Sequence, residues 1–416
     1  MKIRSITSFY DPGTADAGET LDLLSRFAQM AEMRFGEGGI ETQSRRLATT
    51  PFAEMCPSGC RESGVQLAQK LEVKAQERGF KYLSMGPALP ENPESFSLVP
   101  ELLAETKNVF FSANLIRNDG KISPAAINAA AGIIHRTATI EKDGFANLRF
   151  AALAGVRPFT PFFPAAFGEG SEPAFSIAVE CADDFVIAFR EAGSFDAARE
   201  KSLKTLEGAA SRMAEINRTL ERDFPVVFKG FDFSPAPYPG KMSSIGYALE
   251  SLGIPSLGLY GSAAAAAFLA GILDEGTWQK AGFNGLMLPV LEDSGLAERT
   301  KDGSMEIKDL LLYSCLCGTG LDTIPLAGDT TPEQIAGVLW DVAGISTRLS
   351  KPLTARLMPI PGKKAGDEVR FDFEYFASGR VMELRSQEMK RFFAAEEPLE
   401  IYPRKMRRNL SELACN

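Results

Sequence analysis

A chain of 416 residues with 45% hydrophobic and 24% charged side chains can bury a large core, as two or three domains or as one large α/β unit. Its net charge of −9 and pI near 5.1 exclude a phosphate-backbone partner, because counterion release needs a concentrated lysine and arginine surface. No basic start precedes a long apolar run and no stretch of about 20 apolar residues could span a bilayer, so a cytoplasmic protein without membrane contact is expected.

The first predicted element is a strand over residues 3–9. A turn at Asp11, Pro12 and Gly13 follows, then a helix over about 16–35 with Leu24, Phe27 and Ala31 on one face. RRLATTPF offers Arg45 and Arg46 beside a strand-like run, and arginine forks suit carboxylates or phosphates. In PFAEMCPSGC, Cys56 and Cys60 stand in a Pro and Gly loop at a spacing that permits a redox pair or half a metal site. With no histidine nearby and no second cysteine pair at metal-site spacing, structural zinc is not expected.

Apolar runs at 82–85, 109–113, 149–153, 175–179, 226–233, 256–260 and 285–290 alternate with helical patterns at 64–77, 124–137 and 195–221. That alternation is an α/β signature. The helix over 195–221 is the clearest, with Leu203, Leu206, Ala210, Met213, Ile216 and Leu220 at helical spacing. His135, the single histidine, lies on a helix opened by Ser123 and Pro124 and reads as a structural, partly buried residue. Ser-His-Asp and Cys-His machinery is thereby removed, and acid and base work falls to carboxylates, lysine, tyrosine or cysteine.

Later helices are expected after Ser243, after Ser262 and after the capping pair Thr331 and Gln334. The stretch SCLCGTGLDTIPL puts Cys315 and Cys317 at or just past the end of a helix that starts near Ser304 and Glu306, with Gly318 and Gly320 supplying the turn. A thiol on a turn can reach a substrate, whereas one in mid-helix packs as a small hydrophobe. Six cysteines are too few for a disulfide framework at this length and fit a reducing compartment.

The strand period over 354–360 and 368–376, around Pro361, Gly362 and Gly366, predicts a C-terminal hairpin. Arg404, Lys405, Arg407 and Arg408 read as part of a flexible, solvated basic tail over 401–416. No linker divides the chain, so one domain over 1–416 is expected, with 1–11 and 354–400 as its closing strands. Polar residues gather where apolar runs end: Asn114, Glu169, Asp232, Glu292 with Asp293, and Asp322. A central pocket at strand ends would require that distribution. Lys351 and Arg356 flank the run LSKPLTARLMPIP.

DFSPAPYPG followed by SSIGYALESLG, then LYGSAAAAAFLAG, LPVLEDSGLA, CGTGLDTIP and TARLMPIPGKKAGD, cover 231–367 densely. SRRLATTPF, AETKNVFFSANL with GKISPAAINAA, and PFFPAAFGEG match more loosely. On these motifs the chain resembles the DUF711 (UPF0210) proteins, whose fold is similar to that of pyruvate formate-lyase and class III ribonucleotide reductase. The resemblance implies an α/β barrel of ten strands, two five-stranded parallel sheets set antiparallel and ringed by helices, with a loop entering the centre. It makes Cys317 the family's loop cysteine and Cys315 an extra. Two departures stand out. In GRVMEL, Glu383 occupies the place of the glycine that stores the radical in glycyl-radical enzymes, and Gly168 stands where related sequences tend to carry histidine.

Two functions follow as expectations. The first is a non-radical enzyme acting on a small polar metabolite, with Cys317 as nucleophile or proton carrier and Asp232, Asp322 or Glu292 as acid and base. Arg45, Asn114, Glu169, Glu292, Asp293, Lys351 and Arg356 would bind its substrate, and Asp232, Cys317 and Asp322 would face one cavity. The second is a non-catalytic binding protein in which carboxylates and backbone oxygens collect Mg²⁺ or Ca²⁺ while Cys317 merely packs. No nucleotide-cofactor motif is present, and a homodimer is expected.

Overall fold

The computed structural model describes residues 1–56, 61–316 and 318–404. In it the apolar runs of the first half become strands separated by the helices that their intervening periods announce. β1 (Lys2–Tyr10) leads to α1 (Ala17–Glu37), and β2 (Arg45–Thr49) to α2 (Phe52–Met55) and α3 (Arg61–Glu77). β3 (Tyr82–Ala88) leads to α4 (Glu94–Glu105), and β4 (Val109–Asn114) to α5 (Pro124–Thr137) and then β5 (Phe150–Ala154). These five strands pair in chain order and all in parallel, the arrangement that helical crossovers permit.

The second half runs the other way. β6 (Ala174–Glu180) pairs antiparallel with β1 and carries β7 (Val227–Asp232) parallel beside it. At the other side β8 (Gly320–Ala327) lies parallel to β9 (Leu353–Ile360), which pairs antiparallel with β5. The order is β7-β6-β1-β2-β3-β4-β5-β9-β8. Between these strands run α6 (Ala182–Glu191), α7 (Phe195–Asp223), α8 (Ile245–Glu250), α9 (Ser262–Glu275), α10 (Ser294–Asp302), α11 (Ile307–Leu316) and α12 (Pro332–Leu349). No helix among the described residues is long and apolar enough to cross a membrane.

The α/β class stands, but the strand plan differs from expectation. Nine strands form one mixed sheet, five in one direction and four in the other, instead of ten in two sheets of five, and the described strands do not close into a barrel. The run over 285–290 is not a strand. Together with 279–284 it lies between β7 and β8, making single parallel bridges from Lys280 to Phe231 and from Pro289 to Asp322. Gly282 at φ +73° and Asn284 at φ +44° break the extended path there, and Pro289 has no N–H to donate. The run over 256–260 is a turn leading into α9.

The C-terminal hairpin is also corrected. Residues 354–360 belong to β9, buried at every position between β5 and β8, so their alternation did not mark an outer hairpin. Only β10 (Glu368–Val369) and β11 (Gly379–Arg380) pair as a short antiparallel ribbon. The sequence does not announce β8, because Gly320 and Pro325 argue against a strand. It is tolerated at the end of the sheet, where the Met382 N–H covers the Pro325 carbonyl at 2.9 Å. The start of the expected tail is docked: Arg404 N–H donates to the Arg348 carbonyl at 2.9 Å and the Arg348 guanidinium to the Tyr402 carbonyl at 2.8 Å. Residues 405–416, with Lys405, Arg407 and Arg408, lie outside the described residues.

Helices cover one face of the sheet, where Leu24, Phe27 and Phe35 of α1 pack with Ile6, Leu47 and Phe175. The other face is filled by the loop after β5. Its Phe163 and Ala166 pack against Phe9, Ala48 and Phe110, and its Ala165 and Phe167 against Ala151 and Leu153. Each phenylalanine so covered contributes roughly 1.5–3 kcal/mol. Strand hydroxyls fix the loop: Thr7 donates to the Pro161 carbonyl at 3.0 Å and Ser84 to that of Ala166 at 2.7 Å. Gly168 belongs to this contact, since a Cβ there would press on Phe9 at 3.3 Å.

Candidate functional site

The loop does not fill the inner face completely. Beside it lies a cavity of about 300 Å³ whose wall includes Arg4 of β1, Arg46 of β2, Tyr82 of β3, Asp322 of β8 and Arg356 of β9. Two β-bulges bring charge to it. The register of β1 on β6 shifts between Ile3 and Ser5, leaving Arg4 at the irregularity, and that of β8 on β9 shifts between Leu321 and Ile324, leaving Asp322 and Thr323. Bulges re-aim side chains, and they gather near active sites. Thr323 has φ +46°, a left-handed conformation that a β-branched residue takes at a cost of order 1–3 kcal/mol. Its hydroxyl accepts the Leu291 N–H at 3.2 Å, which ties the bulge to the turn carrying Glu292.

The charges alternate across that junction. Arg4 Nη2 donates to Glu292 Oε2 at 2.8 Å, Arg356 Nη2 to Glu292 Oε1 at 2.7 Å, and Arg356 Nε to Asp322 Oδ1. Arg4 also reaches Glu180 at 3.3 Å. Burial pushes the Asp322 carboxyl above its ordinary value against the pull of Arg356, and Glu292 adds to the rise. Burial alone would lower Arg356, but Asp322 and Glu292 outweigh it and hold the guanidinium above its ordinary value. A carboxyl that keeps its proton longer than usual, in a cavity and fixed through one oxygen, is placed to give or take a proton.

Arg46 differs from the other two arginines. Its Nε donates to Ser44 Oγ at 3.0 Å, and its guanidinium lies over the rings of Phe163 and Tyr82, 5.3 and 5.7 Å from their centres. No carboxylate pairs with it among the described residues. Burial, reinforced by Arg4, pulls its guanidinium down to about 10.

Of the residues expected at a site, Glu292, Asp322 and Arg356 line this cavity and touch one another in sequence-distant pairs. Asp232 does not reach it. Its Oδ1 accepts from Ser234 N and Oγ and from Asn284 N, its Oδ2 from Phe283 N, and it is wholly buried. It latches the 279–285 segment to β7, which sets Phe283 and Met287 in the cavity wall. Asp293 caps α10 through Gly295 N and Leu296 N and also accepts from Ser244 and Ile245 at the start of α8, so it joins two helix ends. Arg45 faces the helices and pairs with Glu32 at 3.0 Å. Asn114 ends β4 outside the cavity, and Glu169 is exposed on a loop.

Lys351 donates to the Cys315 carbonyl at 3.0 Å and so caps the last turn of α11. Burial pushes the Cys315 thiol up, with Lys351 opposing. At neutral pH iodoacetamide should therefore modify Cys315 more slowly than a free cysteine, as followed by peptide mass spectrometry. Rapid labelling there would contradict this. Cys317 and Cys60 lie outside the described residues, and Cys56 is buried. His135 Nδ1 lies 3.0 Å from the Thr330 carbonyl oxygen, beside the turn before α12. Among the described residues no group of three or more His, Cys, Asp or Glu side chains is arranged to hold a metal ion.

The sequence motifs do not single out Arg4, Lys81, Tyr82 or Tyr375 of the cavity wall, and of the arginine pair they point to Arg45 rather than Arg46. A signal existed for the arginines. Strand parity puts Arg46 on the face of Ala48, opposite Arg45 and Leu47, and Arg4 is a charge in a strand otherwise buried beyond Lys2.

The family described as uncharacterised ACR (DUF711) matches residues 1–378. A UPF0210 protein of Acetivibrio thermocellus is 28% identical over 412 residues, covering 92% of this chain and 91% of that protein. UPF0210 proteins of Methanosarcina mazei and Pelotomaculum thermopropionicum are 29% and 30% identical, each over 80% of this chain and over 77% and 78% of their own lengths. The match spans both halves of the sheet and every strand that lines the cavity, and the chain belongs to the DUF711 (UPF0210) family.

Proposed function

We propose that the protein is a non-radical enzyme that moves a proton on a small polar metabolite held in the cavity, with Asp322 as the general acid and base. The observation that carries this reading is the β8 bulge, where a strained Thr323 sets a buried carboxyl against Arg356 at the cavity wall. Strain of that kind persists where surrounding structure holds it, and it clusters at functional sites. Arg356 and Arg4 would hold Glu292 as a fixed counter-charge while Asp322 exchanges the proton. Cys317, the loop cysteine of the family resemblance, is retained as a nucleophile or proton carrier in this reading. Glu383 in place of a radical-storing glycine supports chemistry without a glycyl radical.

The reading extends to the fold and assembly. Opposed sets of five and four strands, with the 279–290 segment bridging both ends of the sheet, support a barrel related to that of pyruvate formate-lyase, the segment standing in for a tenth strand. A cytoplasmic homodimer remains part of the proposal, to be tested by sedimentation.

Incubating wild-type and Asp322→Asn protein with a metabolite extract, and following depletion by mass spectrometry, tests the function. Compounds consumed only by wild type are expected. Equal depletion by both would remove Asp322 from the chemistry, and no depletion by wild type would leave a binding protein without turnover.

A further inference from the structure

Six basic and three acidic side chains line the cavity of a protein whose net charge is −9. All three acids are already engaged: Glu141 by Arg149 at 2.8 Å, Glu292 by Arg4 and Arg356, and Asp322 by Arg356. Arg149 is spent further on the carbonyls of Leu103 and Val109. The excess is Arg46, Lys81 and Lys107, none of whose side chains pairs with a carboxylate among the described residues. Lys81 and Lys107 are exposed at the rim, while Arg46 lies deeper. Arg46 and Lys81 share one ring, lying 5.7 and 5.4 Å from the centre of Tyr82, and Lys81 also lies 6.0 Å from that of Tyr375.

Two cations beside one aromatic ring repel each other, and ring quadrupoles offset only part of that. A guanidinium whose single protein hydrogen bond uses Nε keeps both terminal nitrogens for a forked partner. A bound anion would satisfy the fork and the two lysines together. Positive charge at the mouth of a cleft in an acidic protein also concentrates anions there.

We propose that Arg46, with Lys81 and Lys107 at the rim, binds the anionic group of the cavity's ligand, a carboxylate or a phosphate monoester. The rest of the ligand lies against Phe163, Phe283 and Tyr375, toward Asp322. The proposal rests on the cavity being the substrate site, and it names the substrate class. It also sets the anion against the divalent cation of the alternative reading, because every cavity carboxylate is already neutralised by an arginine.

Inorganic phosphate, acetate and choline, each titrated into the full chain in low-chloride buffer and watched by ligand-detected NMR, test it. At least one anion should bind saturably and choline should not. Arg46→Gln should weaken that anion at least tenfold and Arg46→Lys by a smaller factor, because lysine keeps the charge and loses the fork. Phosphate should also raise the melting temperature of wild type more than that of Arg46→Gln if the ligand is a phosphate monoester, and acetate should do so if it is a carboxylate. Should Arg46→Gln fail to fold, Arg46→Lys carries the comparison. Equal anion binding in wild type and the Arg46 variants, or saturable binding of choline alone, would overturn the assignment. Asp322→Asn keeps Arg46 and is expected to bind the anion as wild type does. Lost anion binding in Arg46→Gln with full turnover in Asp322→Asn would sink the catalytic reading alone, and the converse would sink this one.

Discussion

Replacing Asp322 by asparagine is expected to lower turnover by about 10²- to 10⁴-fold, the range for removing a positioned general acid or base. Asparagine keeps the shape and an oxygen for Arg356 but cannot exchange a proton. Stability should not fall with activity. Burial raises the Asp322 carboxyl, so the folded protein holds that proton more tightly than the unfolded chain. The resulting stabilisation is complete below the unfolded value of about 3.9 and is lost as pH rises through the folded value. Above that folded value the ionised side chain is a cost that asparagine removes. Asp322→Asn should therefore melt no lower than wild type at pH 7, and the comparison should shift toward wild type as pH falls to about 4. Melting curves from pH 4 to 8 check this beside the turnover assay. A variant that melts far below wild type at pH 7 would make Asp322 a structural ion-pair partner.

Asp232→Ala should show the largest loss of stability. The substitution strands the N–H groups of Ser234, Phe283 and Asn284 and the Ser234 hydroxyl in a site without solvent, a loss of about 3–5 kcal/mol. Asp232→Asn should recover part of it, since one carbonyl oxygen still accepts. The latch leaves little room for other solutions. A Cβ on Gly282 would overlap Asp232 Oδ2 and come within 2.8 Å of Thr160 Oγ1. Urea unfolding measures the difference, and because Phe283 and Met287 follow the latched segment, ligand binding should weaken with it. An unchanged unfolding midpoint in Asp232→Ala would show that the segment is held without the carboxylate.

The contrast between these two aspartates explains how far the site could be read beforehand. Both follow glycine- or phenylalanine-rich apolar runs, and both looked like strand-end carboxylates. Local sequence does not say whether nearby N–H groups will saturate a carboxylate, as they do Asp232, or whether an arginine 34 residues away will meet it, as Arg356 meets Asp322. Asp293 and Lys351 share the fate of Asp232: their partners are the helix ends of α8, α10 and α11.

Strand and helix periods by themselves determined the α/β class, the first five strands with most of their helices, and the caps at Ser123 and Thr331. Those features depend on interactions within a few residues, which the order of side chains encodes directly. The family motifs likewise drew attention to Glu292, Asp322 and Arg356. Only the tertiary structure decided that 354–360 is an inner strand, that 285–290 is a bridging segment, and that Arg4 and Asp322 meet at one cavity. The reason is the two-residue period of the sheet. A one-residue shift of register reverses every side chain that follows, and the bulges at Arg4 and Asp322 are such shifts, set by pairing with strands that lie over 170 residues away for β1 and about 34 for β8.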